Sequence, residues 1–188
     1  MIRRLFPVVM VVVLSAGVAQ AGTLAISFND TTAQVTFDQM VRQDAWGKSA
    51  FGLRGFYSDR HNTGLFSGGM NVLGAVKDTG LEVGAGIRGY YIDADQGDDM
   101  LAGALGGLVR FVPPGFTKVS LTGSLFYCPK VFTGLDGERL LDTEVKAAYK
   151  IIPRASVFIS YTTIRAKFEN EDARNLDNSI RGGLSLKF

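Results

Sequence analysis

His61 is the only histidine of the 188-residue chain, and it stands in Ser58-Asp59-Arg60-His61-Asn62. A histidine with a hydroxyl and a carboxylate nearby has the composition of a general-base relay that activates a nucleophile. Ser58 and Asp59 are adjacent in sequence to the histidine segment, too close along an extended chain to converge on the ring. A loop histidine is ordinarily solvated. Catalysis through His61 is therefore the alternative reading, and the main expectation is a protein that is not an enzyme.

Other residues invite sharper chemistry and do not support it. Asp93, Asp95, Asp98 and Asp99 could ligand a hard cation such as Ca²⁺ through clustered carboxylates, but a solvated acidic loop explains them. Gly84-Ala85-Gly86 and Gly103–Gly107 superficially match nucleotide-binding loops, yet they lack the strand-to-helix setting those loops require. Cys128 is the single cysteine. It has no disulfide partner and no companion ligands for a thiolate metal site. No cofactor is expected.

The elements that carry these residues are strands. Period-two alternation recurs along the chain, and no stretch keeps a helical period. Ten strands are expected, at 23–28, 32–41, 48–59, 63–77, 80–93, 99–112, 116–128, 137–150, 155–168 and 177–188. Most are longer than the usual five or six residues of globular strands, and they match the length a tilted strand needs to cross a bilayer. Short links at 77–80, 113–115 and 152–154 alternate with longer polar ones at 59–62, 93–99, 129–136 and 169–177. That is the asymmetry of an outer-membrane barrel.

Residues 1–21 read as a secretory signal peptide, and 22–188 as the barrel. Arg3 and Arg4 precede the apolar run Leu5–Leu14, and Ala19-Gln20-Ala21 fits a cleavage site. Loss of Arg3 and Arg4 brings the 20 basic residues level with the 18 acidic ones. A neutral mature chain gives no electrostatic case for nucleic acid.

The register separates two faces. Phe51, Leu53, Tyr57, Phe66, Met70, Val83, Ile87, Tyr91, Leu105, Val109, Leu125, Tyr127, Val145, Tyr149, Val157, Ile159 and Tyr161 share one. Arg54, Asn71, Glu82, Arg88, Arg110, Asp142, Glu144, Lys146, Arg181 and Lys187 share the other. Charge is kept off the centre of the apolar face, as lipid contact demands. A soluble barrel of lipocalin type would show the same alternation turned inside out. Three features favour the membrane form: aromatics at the strand ends, small residues mixed among the inner charges, and a last strand with Ile180, Leu184, Leu186 and Phe188 in phase. The expected fold is all-β: a transmembrane antiparallel up-and-down β-barrel of ten strands, or of eight plus an N-terminal segment.

Phe126-Tyr127-Cys128-Pro129, then Gly134, then an acidic strand leading to Glu144, Ala147 and Tyr149, resemble the YfaZ-type outer-membrane proteins. The likeness extends to the hairpin after the leader, the Gly-rich central strands and the Asn178–Phe188 strand. It implies an exported barrel in the outer membrane of a Gram-negative envelope and supplies no site residues. The last strand is also similar to the signal read by the barrel-assembly machinery, at Ile180, Leu184, Leu186 and Phe188. The expected partners are that machinery, outer-membrane lipid and lipopolysaccharide.

The remaining constellation is the lumen. Arg54, Arg88, Glu144, Lys146 and Arg181 form an expected inner charge cluster, with Glu144 compensating the arginines. A barrel of this size has an interior roughly filled by side chains. An ionic core that holds the barrel shut is thus favoured over a narrow porin-like conduit. The functional expectation is a structural or loop-interaction barrel, or a minimal channel. The alternative is a lipid-modifying enzyme using His61, against which the charged inner face argues.

Overall fold

The computed structural model describes residues 22–44, 47–60, 62–77, 79–94, 99–169 and 172–188. The signal segment 1–21, His61, Asp95 and Asp98 lie outside the described residues.

Alternating sequence becomes alternating side chains. The strands are β1 (Gly22–Phe28), β2 (Thr32–Gln43), β3 (Lys48–Ser58), β4 (Thr63–Val76), β5 (Leu81–Asp93), β6 (Asp99–Phe111), β7 (Val119–Cys128), β8 (Thr133–Leu135), β9 (Gly137–Ile152), β10 (Ala155–Phe168) and β11 (Arg174–Lys187). Each wall strand pairs antiparallel with its neighbour, β7 pairs β9, and β11 returns to β1. The sheet closes on itself as a ten-stranded barrel. Closure leaves no unpaired edge, the condition for strands to lie in lipid. The N-terminal hairpin belongs to the wall, since Ile26 pairs with both Val35 and Leu184. That excludes the eight-stranded alternative.

β8 is a continuation of β7. Tyr127 is opposite Leu105 on β6, and after the 3₁₀ turn Lys130–Phe132 the chain rejoins the same edge with Thr133 opposite Ala102. The segment expected as a long loop at 129–136 thus holds a three-residue excursion, Lys130–Phe132, followed by three wall residues, Thr133–Leu135. Likewise the 169–177 link shortens, because β11 begins at Arg174. The contrast between long and short connections is therefore weaker than the sequence suggested. Polar residues such as Thr133 and Asn175 pair readily where the wall projects beyond the apolar band.

Turn chemistry fixes the hairpins. The Asn29 side-chain carbonyl accepts the N–H groups of Thr31 (3.0 Å) and Thr32 (2.7 Å), closing β1 onto β2. Gly80 has φ +69°, and a Cβ there would fall 2.2 Å from the Val112 carbonyl oxygen. Only glycine fits that turn. The outer wall is apolar as expected: Ile26, Val35, Phe66, Met70, Ile87, Leu105, Leu125, Val145, Ile159, Ile180 and Leu184 are all exposed on it.

Candidate functional site

The lumen has three levels between the rim that carries Gly22 and Phe188, the terminal rim, and the opposite, loop rim. Nearest the loop rim it is apolar. Phe56, Leu65, Tyr90, Ile92, Met100, Phe126, Cys128, Leu140, Ile164, Phe168 and Leu176 are packed together inside the barrel. Ile92, Met100, Phe126 and Ile164 have 0% exposure. This corrects the expectation of a charged inner face throughout. The signal was present in the sequence as apolar neighbours on both faces, Tyr90-Tyr91-Ile92, Phe126-Tyr127 and Leu140-Leu141, but strict alternation assigned only one of each pair.

Below this seal lies the ionic level. Arg54 on β3 grips Asp142 on β9, with Nη2 to Oδ2 at 2.5 Å and Nη1 to Oδ1 at 3.4 Å. The same carboxylate accepts from the Tyr90 hydroxyl at 2.7 Å and from Arg88 Nη1 at 3.3 Å. Arg54 Nε donates to Ser67 at 3.3 Å. The Arg88 guanidinium lies 4.0 Å from the Phe126 ring centroid, so cation and seal touch. Burying these charges is tolerable only because each is paired and hydrogen-bonded.

Arg181 belongs to a separate network. Its Nη1 contacts Asp177 at 2.6 Å, and Nη2 donates to Gln34 at 3.1 Å. The guanidinium is 5.2 Å from the Phe56 ring centroid, which roots this second pair in the same apolar seal. The expected cluster is thus divided. Arg54 and Arg88 meet at Asp142, Arg181 meets Asp177, and Glu144 makes no ion pair with any of the three arginines. Glu144 is instead 3.9 Å from Lys146. The physical reason is height: Asp142 lies one inward position closer to the seal than Glu144, level with Arg54 and Tyr90.

The third level, toward the terminal rim, is a cavity of about 310 Å³. It runs from Arg54 and Arg88 past Asp38, Glu144 and Lys146 to Lys48, Glu82 and Arg110. Glu82 is shared by Lys48 (2.5 Å) and Arg110 (3.4 Å), the latter half-exposed. This level is a polar vestibule, blind at its inner end. Asn71 Oδ1, which lies against Gly86, has no hydrogen-bond partner in it.

The other candidates separate. Ser58 is fully buried and Asp59 is exposed in the turn, so the two do not share a surface. Asp93 and Asp99 face one another across the β5–β6 pair. Gly84, Gly86 and Gly103 lie within strands, not in phosphate-binding loops. Cys128 donates its thiol to the Pro129 and Phe132 carbonyls at the turn into β8. In the last strand, Ile180, Leu184, Leu186 and Phe188 are all exposed on the outer wall, and the Phe188 ring stacks on Phe37 with centroids 6.4 Å apart.

Solved barrels share this architecture. A structure described as KdgM porin has 11% sequence identity and a TM-score of 0.50, covering 89% of this chain and 99% of that one. Another, described as KdgM porin in complex with disordered oligogalacturonate, has 11% identity, a TM-score of 0.49 and the same coverage. At such identity the likeness speaks for the fold alone. No curated protein matches the chain. The family model described as YfaZ precursor matches residues 4–186, nearly the whole length. Matched by that model over nearly all of its barrel, the chain belongs to the YfaZ precursor family.

Proposed function

We propose that the protein is a non-enzymatic outer-membrane barrel, closed to through-passage at rest, with a polar vestibule open on the side of its termini. The observation that carries this reading is the apolar seal. Ile92, Met100, Phe126 and Ile164 are fully buried across the lumen between the Arg54–Asp142 pair and the loop rim. An ion crossing that level would shed its hydration against hydrocarbon, at a cost far above thermal energy. Small solutes reach the vestibule and stop at Arg54 and Arg88. Passage requires the seal to yield, so any channel activity is that of a gated, narrow conduit.

An apolar lumen could in principle house an acyl chain for a lipid-modifying enzyme. The side chains here already fill the space, which argues against it. Replacement of His61 by Ala should therefore leave lipid A and phospholipid profiles of producing cells unchanged.

Planar-bilayer recording tests the closed reading. Wild-type protein should give little steady conductance. The Phe126→Ala/Met100→Ala variant, which opens the seal while keeping the ionic level, should conduct. Steady wild-type conductance unaffected by that variant would overturn closure. Fractionation with outer membranes, and an altered gel mobility on boiling, test location and folding separately.

A further inference from the structure

The outer wall is apolar through its middle, and polar residues gather at its loop rim, among them a basic cluster. At the loop-side ends of β9 and β10, Arg139 and Lys167 are directly opposite each other in the pairing, and Arg165 stands two residues along β10 on the same outward face. Arg139 and Arg165 are exposed, and no ion pair is made by either among the described residues. Like charges set directly across a strand pair repel. Such an arrangement is stable where an anion lies over it.

One carboxylate partly answers the charge. Glu138 contacts Lys167 at 2.6 Å and Lys130 at 2.9 Å. The hydrogen bond that Lys130, in the loop-rim turn, donates to Glu138 pushes the Lys130 ammonium pKa up, with Glu169 adding to it. Glu138 is thereby committed to the two lysines, and both arginines remain available.

The height of the patch identifies the anion. Ten residues of β9 separate Arg139 from the outward-facing Tyr149 near the terminal rim. At about 3.3 Å per residue and a tilt of about 40°, this is roughly 25 Å, the depth of an outer-membrane apolar band. Arg139 and Arg165 therefore stand where lipid phosphates lie. Below them, past the Thr163–Thr143 pair, the wall is apolar through Tyr161, Ile159 and Val157. On the other flank of the Lys130–Phe132 turn, Phe132 borders an outward groove of about 350 Å³ over Gly68, Gly89 and Gly103, room for a chain of the same lipid.

We propose that this patch binds a phosphate of a multiply acylated glycolipid in the outer leaflet, through Arg139 and Arg165. Guanidinium forks hold phosphate oxygens in pairs, which ammonium groups do not. The proposal rests on the outer-membrane reading above.

The test measures diphosphorylated lipid A retained by the detergent-purified folded barrel, and its rebinding from phosphatidylcholine vesicles doped with that lipid. Arg139→Gln/Arg165→Gln should lower apparent affinity about tenfold or more, the equivalent of losing a charge-assisted hydrogen bond. Lys187→Gln, at the opposite rim, should change nothing. Dephosphorylated lipid A should bind the wild type no better than the double variant. Equal retention by wild type and double variant overturns the proposal, as does displacement of the lipid by millimolar inorganic phosphate. Boiling-dependent gel mobility reports folding of each variant independently. A wild type that folds only without lipid or detergent would overturn the membrane reading itself.

Discussion

Arg54 and Asp142 are 88 residues apart in the chain and form a two-point ion pair across the barrel, 2.5 Å and 3.4 Å long. It joins β3 to β9 through the lumen, between strands that share no backbone hydrogen bonds. Closure of the wall brings the two strands onto opposite sides of one interior, and the pair then fixes the cross-section. Tyr90 and Arg88 from β5 add a third side.

Asp142→Ala should therefore destabilise far more than Glu144→Ala. The first leaves Arg54 buried without its counter-charge, a loss of about 3–5 kcal/mol. The second removes a loose contact in a wet vestibule, worth under about 1 kcal/mol. Asp142→Asn keeps the volume and should fall between. Thermal unfolding in detergent measures the order, and equal losses for Asp142→Ala and Glu144→Ala would contradict it.

Arg181 and Asp177 should behave as one unit. Both side chains are almost wholly buried. Asp177→Ala alone strands a guanidinium and should cost about 3–5 kcal/mol. The double variant Arg181→Met/Asp177→Leu should be more stable than that single one, because apolar groups of similar size can replace a buried pair. Additive losses in the double variant would argue against pairing.

Two glycines of β5 should respond very differently to alanine. A Cβ at Gly84 would fall 2.0 Å from the Val72 carbonyl oxygen, whereas at Gly89 the nearest atom is the Gly68 oxygen at 3.8 Å. Gly84→Ala forces backbone apart and should cost about 1–3 kcal/mol, in the range of overpacked cores. Gly89→Ala should be close to neutral. Urea unfolding of the two variants side by side decides it.

Loss of Phe188 should separate stability from biogenesis. The stack on Phe37 is a single aromatic contact, worth about 0.5–1.5 kcal/mol beyond its burial. Phe188→Ala, which keeps the two backbone hydrogen bonds to Gly22, should thus lower the unfolding temperature in detergent only slightly. Assembly in cells should fall much further if the terminal strand is the recognition signal. Yields of folded barrel from membranes, compared with refolding yields in detergent, check this.

The two-residue period of the chain determined the strands and the outward face, because a pleated strand sends successive side chains to opposite sides whatever its neighbours; that the N-terminal hairpin joins the wall and makes it ten-stranded came from the pairing of Ile26 with Leu184. It also placed Arg54, Arg88 and Arg181 inside. What it could not supply was which inner residues share a height. That depends on the stagger of the closed sheet, so Asp142 rather than Glu144 takes Arg54, and Asp177 takes Arg181. The seal was hidden for a related reason: at Tyr90-Tyr91 and Leu140-Leu141 both faces are apolar, one meeting lipid and the other the packed lumen, and only closure of the sheet gives the inner member its neighbours. The turn after Cys128 was equally illegible, because Lys130–Phe132 leaves the wall and Thr133 regains it only through pairing with Ala102, a partner 31 residues away in sequence.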